Sequence, residues 1–433
     1  FRVGEAAATA LAAVGVAVTD LWEQRTGRRQ RLDVDVRAAA ASLLSFMLTR
    51  VVDGESPGYG DRAVVTDAFP TRDGGWFFFH GSFPANTRRA TELLGCSPGC
   101  EKAELGRAIA RWDAQELEDS FAAHGLCGAK LRTQSDWEAH AQGEALAAHP
   151  VVEIIQIGDS EPQPLPVAGA TPLAGVRVLD LTRVLAGPTC GRTLAQHGAD
   201  VLRIGSPSLP SIPHFVMDTG CGKRSAHLDL TQRGDAEQLR QLIRSGDVFV
   251  QGYRGGAFER LGFGPESVCA LRPGIVYASI NCYGHVGDWF DRPGWEQLAQ
   301  TVTGISAEQG GEVPALIPAA PTDYTTGYLA ALGTLVALKR RASVGGSYHV
   351  RVSLCRTGMW IQGFGRTDEP GTGLDRDWLA PLLMQTDAPF GRVEHLAPVL
   401  RLSETPARWA RPTVPLGTHP PEWEARANPQ TVP

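Results

Sequence analysis

The residue in this chain best suited to chemistry is an aspartate at the head of an apolar run. Asp323 sits in Pro321-Thr322-Asp323-Tyr324-Thr325-Thr326-Gly327-Tyr328, directly before the apolar stretch Leu329 to Leu338. That pattern predicts the first turn of a buried helix, where unpaired N–H groups and the helix dipole hold a carboxylate ionised. Asp323 is therefore either a helix cap or a reactive carboxylate. A second set of candidates is cationic: Arg183, Arg203, Lys223, Arg224 and Arg254 all lie near predicted strand-end loops. Any one of them would serve as a solvated surface charge, whereas together they favour a phosphate-bearing ligand. Of the eleven histidines, His285 alone occupies a loop suited to close backbone approach, Tyr283-Gly-His-Val-Gly287. His227 and His349 alternate with apolar neighbours and read as strand residues.

Several chemistries are disfavoured by what the sequence lacks. The eight cysteines are scattered, with no C-x-x-C pair and no Cys/His zinc spacing, so reduced thiols and no metal site are expected. No G-x-G-x-x-G follows the strand at Val176, and no Walker loop, H-E-x-x-H or G-x-S-x-G occurs. Dinucleotide, zincin and serine-hydrolase readings are correspondingly weak. A net charge of -6 supplies no basic field for nucleic acid. Hydrophobic residues at 43% and charged residues at 20% suit a soluble globular protein, and no apolar run approaching a membrane span is read from the sequence. A cytoplasmic protein with no membrane partner is expected. Because the chain starts at Phe1 rather than Met, residues preceding it are also expected.

The elements that must position Asp323 and the cations fall into two textures. From Gly175 onward, strands at Val176 to Leu181, Asp200 to Ile204, Asp247 to Val250 and Ile275 to Ile280 alternate with helices at Pro188 to His197 and Ala236 to Ser245. That alternation predicts a Rossmann-like, doubly wound parallel sheet, with ligands at the carboxyl ends of its strands. Before it lies a smaller α/β region. It comprises a hairpin over 68–79 turning at Asp73-Gly74, then helices at Thr87 to Leu94, Lys102 to Arg111, Asp113 to His124 and Ser135 to Ala148. The last is predicted to open on a Ser135/Glu138 capping box, and a strand follows at Val151 to Ile157. The Pro-rich segment 159–172 reads as a linker. The expected division is 1–49, a small domain over 50–158, the linker, a large domain over 173–355 and a Pro-rich segment over 356–433.

The chain also matches itself. With Gly333 laid on Gly15, Leu329, Ala330, Ala331, Val336 and Val352 meet Leu11, Ala12, Ala13, Val18 and Val34. A helix, a charged turn and a strand thus occur twice, which favours a partial duplication. Asp323 falls opposite Glu5.

These segments carry a family likeness. Gly175-Val-Arg-Val-Leu-Asp-Leu-Thr-Arg-Val-Leu-Ala-Gly-Pro188, Gly198-Ala-Asp-Val-Leu-Arg203, Gly222-Lys-Arg-Ser225, Leu261-Gly-Phe-Gly264, Tyr283 to Gly294 and Pro321-Thr-Asp-Tyr324 resemble, in order, the family III CoA-transferases. That group includes formyl-CoA and carnitine CoA-transferases and the α-methylacyl-CoA racemases. Residues before 160 resemble the family out of place, as the back half of one member joined to a second member lacking its small domain. The resemblance implies that Asp323 is a nucleophile attacking an acyl-CoA thioester, and that coenzyme A enters as co-substrate with a carboxylic acid as acceptor. It places CoA near Arg183, Val184, Leu185, Ala186, Arg203, Lys223, Arg224, Tyr253 and Arg254, in a homodimer that is interlocked in the family. Racemases carry a His where this chain has Trp295, which leaves Glu296 or His285 as a surrogate base. Gly205 and Gly252 replace an acidic residue and an Asn that hold the nucleotide. Acyl-CoA isomerisation and a non-catalytic CoA-binding subunit are the alternative readings.

Overall fold

The structure is a computed structural model describing residues 1–58, 65–81, 83–165, 169–367 and 375–425. Its centre is a seven-stranded sheet. In spatial order the strands are Glu153–Gly158, Ser347–Ser353, Val276–Asn281, Val248–Gln251, Arg177–Leu181, Asp200–Gly205 and Lys223–His227. All pairings are parallel except that of Glu153–Gly158, which runs antiparallel along Ser347–Ser353. Numbered along the chain from Arg177, the parallel strands lie in the order 3-2-1-4-5-6, the doubly wound arrangement whose ligand crevice opens where the order reverses. That reversal lies between the ends of Arg177–Leu181 and Val248–Gln251.

Alternation along each strand divides the interior into two cores, because successive side chains point to opposite faces. Val178, Val201, Val248, Val250 and Val276 join the core that holds the Ala186–Ala195 and Pro321–Val344 helices. Leu179, Leu202, Phe249 and Tyr277 point the other way, onto Leu239, Leu242 and Ile243 of the Arg233–Arg244 helix. With both faces covered, these strands carry the near-continuous apolar runs of buried parallel sheet.

The helix bearing Asp323, Pro321–Val344, is 24 residues long and buried along nearly its whole length. Beside it packs the N-terminal helix Val3–Thr26, also 24 residues, which shares its core. When Gly333 is laid on Gly15 the two helices have the same bounds. Their following strands differ: the second copy contributes Ser347–Ser353 to the sheet, whereas the first is only Leu32–Asp33, paired with Arg401–Leu402. Val3–Thr26 is also long and apolar enough by composition to cross a membrane, contrary to the expectation that no run approaches a span. Its alanines and small side chains meet the Pro321–Val344 helix instead, with Leu21 fully buried.

The N-terminal portion is thus not set apart from the large core. The linker expected at 159–172, of which 166–168 lie outside the described residues, separates two segments that share one sheet and one helical layer. A smaller antiparallel sheet of Thr66–Pro70, Trp76–His80 and Gly128–Lys130 has a core of its own with Leu105, Ile109, Leu117 and Phe121. Its hairpin turns at Asp73-Gly74, with Gly74 at φ 76° and the Thr71 hydroxyl donating to Asp73 at 2.6 Å. The single helix expected over 135–148 is two, Gln134–Glu138 and Ala141–Ala147. Thr133 and Asp136 form the capping box in place of Ser135 and Glu138, and His140 Nδ1 caps the second piece by accepting from Gln142 N.

Because Leu21 lies in the same core as Leu335 and Leu338, Leu21→Ala should cost about 2–5 kcal/mol. Urea unfolding should show the whole cooperative transition moving to lower denaturant. Melting of an N-terminal segment alone would show that the helix is an appendage.

Candidate active site

The Pro321–Val344 helix begins after Ala320, which has no side chain able to cap it. Its orphan N–H groups are satisfied from elsewhere in the chain. Glu296, first residue of the helix Glu296–Val302, accepts from Thr322 N at 3.2 Å, Asp323 N at 2.5 Å and the Thr322 hydroxyl at 2.6 Å. Gln300 Nε2 donates to it at 2.7 Å, so both Glu296 oxygens are engaged. Glu296 therefore caps the long helix across the fold, placing its charge where the helix dipole is positive.

Asp323 is left with a different environment from the one its sequence predicts. Its backbone N–H goes to Glu296, and its carboxylate accepts no hydrogen bond among the described residues, although it is only 6% exposed. Burial, and next the Glu296 charge, push the Asp323 carboxyl well above its ordinary value. Burial raises Glu296 as well, but hydrogen bonds from Thr322, Gln300 and the Asp323 backbone oppose that rise. The expectation that the helix N-terminus holds Asp323 ionised is corrected: Glu296 takes the N–H groups, and the Asp323 carboxyl is left shifted upward by burial and by the Glu296 charge.

Neighbouring residues fix this turn. The Tyr324 hydroxyl donates to Asp218 at 2.7 Å and accepts from Phe46 N at 2.9 Å, while Arg192 pairs with Asp218 at 2.7 Å. A Cβ at Gly327 would stand 2.5 Å from the Ala186 carbonyl oxygen and 2.6 Å from Thr189 Cβ, so only glycine lets the two helices cross here. Just before that crossing, Val184 has φ 67°, the only positive φ at a non-glycine residue among those described. A β-branched residue there is strained, and it forms the wall between two parts of the site.

The inner part is a cleft bordered by Asp323, Glu296, His80, Phe83, Trp295 and Val184, among others. Through Phe83, Val184, Ile212 and Phe215 it adjoins an outer recess holding Arg183, Arg203, Ser206 and Pro210. Gly205, Ser206 and Leu209 then lead to an apolar recess with Tyr253, Leu228, Phe258 and Leu261. This succession runs along the carboxyl ends of the strands. Arg203 is its most telling member: it is 4% exposed, and its Nε and Nη1 are buried with no hydrogen-bond partner among the described residues. Burial lowers its pKa from the usual guanidinium range. The nearby Asp180 charge opposes that fall, but a buried cation with unbonded N–H groups is costly unless an anion meets it. Arg183 donates to the Pro210 carbonyl and lies over the Phe83 ring at 5.5 Å.

Other residues singled out by sequence are not brought here. Lys223 begins its strand at the amino end, and its ammonium is buried between Asp180 at 2.6 Å and the Pro188 carbonyl at 2.7 Å. Arg224 pairs with Asp200 at 3.0 Å and the Glu422 carbonyl at 2.7 Å. Both are committed within the fold, which corrects their reading as phosphate ligands. Arg254 is exposed beyond Tyr253, and Glu5 is exposed on the first turn of its helix. Leu185 borders the inner cleft, whereas Ala186 packs its backbone against Gly327. His285 opens onto a separate cavity with His149, Glu153 and Arg351. Its Nε2 lies 2.7 Å from Ser279 Oγ, and burial, then Arg351, bring its pKa down to about 3. Sequence reasoning missed His80, Phe83 and Phe46, which come from the N-terminal portion; His80 stacks on Trp295 with centroids 6.0 Å apart. Among the described residues no cluster of three or more His, Cys, Asp or Glu could hold a metal ion.

The sequence model of CoA-transferase family III matches residues 1–168 and 173–377. An acetyl-coenzyme A transferase of Hypoxylon pulicicidum is 32% identical over 360 residues, covering 77% of this chain and 59% of that protein. An acyl-CoA transferase of Gibberella moniliformis is 33% identical over 318 residues, covering 67% and 55%. The chain thus spans little more than half the length of these relatives. Among solved structures, a CAIB/BAIF family protein from Brucella suis is 26% identical, covering 51% of this chain and 65% of that one, with a TM-score of 0.41.

The Asp323 environment carries a stability signature. Its carboxyl titrates at about 3.9 when unfolded and higher when folded. The folded chain therefore holds a proton that the unfolded chain has released, and stability falls as pH rises from the unfolded value through the folded one. Asp323→Asn should raise Tm relative to the parent, by a margin that widens as pH rises above about 4, the unfolded value. A margin independent of pH would contradict the raised carboxyl.

Proposed function

Since this chain belongs to CoA-transferase family III, we propose that it moves coenzyme A from an acyl-CoA donor to a carboxylic acid acceptor, with Asp323 as nucleophile. The observation that carries this reading is a buried carboxylate without a hydrogen bond, at the inner end of a path whose outer part holds the unpaired cation of Arg203. On this reading Arg203 and Arg183 meet the phosphates, Tyr253 borders the nucleotide end, and the pantetheine arm passes Val184 to reach Asp323.

The chemistry follows from those positions. Asp323 reacts in its ionised form, its proton having passed to solvent, and a carboxylate oxygen attacks the thioester carbonyl carbon. The C–S bond breaks, leaving an aspartyl–acyl anhydride and CoA thiolate. The thiolate attacks the Asp323 carbonyl carbon and expels the acyl group as its carboxylate, which leaves CoA on the enzyme as a thioester. An acceptor carboxylate attacks that thioester, and the returning thiolate takes the acceptor's acyl group, restoring Asp323. Glu296 holds the turn and keeps Asp323 basic, so it is a positioning residue. α-Proton exchange would need a second proton-transfer group. Both Glu296 oxygens are engaged and His285 opens elsewhere, so neither surrogate favours the isomerase alternative.

Incubation with a reactive acyl-CoA should leave a hydroxylamine-sensitive adduct on Asp323, detected by mass spectrometry. Asp323→Ala should abolish both adduct and transfer, and Glu5→Ala should leave them intact. An essential Glu5 would put the nucleophile on the wrong helix. The acid limb of kcat/KM should lie above the ordinary carboxylate range, since the folded pKa is raised, and Glu296→Gln should move that limb to lower pH by removing the like charge. An unmoved limb would dissociate Glu296 from the titration.

A further inference from the structure

Apart from the Asp323 carboxylate, the polar groups of the inner cleft are largely spent on one another. Gln300 donates to Glu296 and accepts from Ile317 N at 2.9 Å, and His80 Nε2 lies 3.2 Å from Gln297 Oε1. The remaining lining is apolar and rich in aromatic rings. Phe83 and Trp295 lie with centroids 5.0 Å apart, and Phe46 and Phe215 meet edge to face at 5.1 Å. No lysine or arginine is among the described residues bordering this cleft. Arg183 borders the outer recess and is turned to Pro210.

A substrate with a second carboxylate would have to bury that charge beside Asp323 and Glu296 with no cation to receive it. Both desolvation and like-charge repulsion oppose this. An uncharged branched or aryl body, by contrast, gains apolar burial and ring-edge contacts. We infer that the acyl group and the acceptor acid handled at Asp323 are monocarboxylic with an apolar body, and that Phe83 and Trp295 select that body. This rests on the CoA-transferase reading above, and the two are separated by reading binding and labelling independently.

Butyryl-CoA and succinyl-CoA have equal carbon counts and differ by a terminal methyl against a carboxylate; phenylacetyl-CoA adds the aryl case. Calorimetry on Asp323→Asn, which cannot form the anhydride, should give Kd values for butyryl-CoA and phenylacetyl-CoA about tenfold or more below that for succinyl-CoA. In wild type the same order should appear in the rate of the hydroxylamine-sensitive adduct. Trp295→Ala should weaken phenylacetyl-CoA more than butyryl-CoA. Leu316→Arg, placing a cation in the cleft wall, should improve succinyl-CoA relative to butyryl-CoA about tenfold. Succinyl-CoA binding and labelling as well as butyryl-CoA would overturn this inference while leaving transfer intact. The binding preference without any adduct would overturn transfer while leaving the apolar selection intact.

Discussion

One carboxylate capping a helix it does not belong to underlies the whole site. Glu296 reaches the Pro321–Val344 helix and takes its first free N–H groups. A second carboxylate in that same first turn, Asp323, is thereby denied them. The helix N-terminus can stabilise one anion fully, and it holds Glu296. Asp323 inherits the burial, the neighbouring charge and no compensating bonds, so the fold keeps a basic carboxylate at the end of an apolar passage. Removing Glu296 would leave two N–H groups and two side-chain donors without their acceptor, a cost typical of breaking a buried charged network.

The parallel sheet sets this arrangement in place from one side. Its first strand ends at Leu181, and the chain turns at once through Thr182, which donates from both backbone and hydroxyl to Asp180. Asp180 is itself paired with Lys223. The buried pair ties the first strand to the third across the second and fixes the loop from which Arg183 and Val184 project. A strained valine at that loop persists because the surroundings over-determine it: Asp180 anchors one side, and the glycine-permitted helix crossing at Gly327 fixes the other.

Much of this was legible in the residues. Strand and helix alternation from Gly175 onward gave the doubly wound sheet, and the small residues around Asp323 marked the head of a buried helix. What the sequence could not convey was partnership across long stretches of chain. Glu296 looks like a surrogate base beside Trp295 until its oxygens are seen on Thr322 and Asp323. Lys223 and Arg224 lie close to a loop in sequence, as Arg183 and Arg254 do, yet they open a strand whose carboxyl end is the ligand side. His80 ends a strand of the separate small sheet and Phe83 precedes the Pro84–Leu93 helix, and both enter the cleft only through docking that no local periodicity encodes. The split of the helix over 135–148 turned on His140 outcompeting an unbroken backbone ladder.

The antiparallel edge strand Glu153–Gly158 bears on how the chain holds together. It is clasped to Ser347–Ser353, the last strand of the parallel series, over Glu153 to Gly158, while the Val3–Thr26 helix grips the core beneath. The two sides of the segment 159–165 are therefore bound by sheet and helix contacts in addition to that segment, where Ser160 accepts from Gly346 N and Gln163 N donates to the Arg341 carbonyl. A proteolytic nick there should accordingly leave two fragments held in one complex. Sequence order and spatial continuity diverge here, since residues on either side of that stretch meet in one sheet and one core.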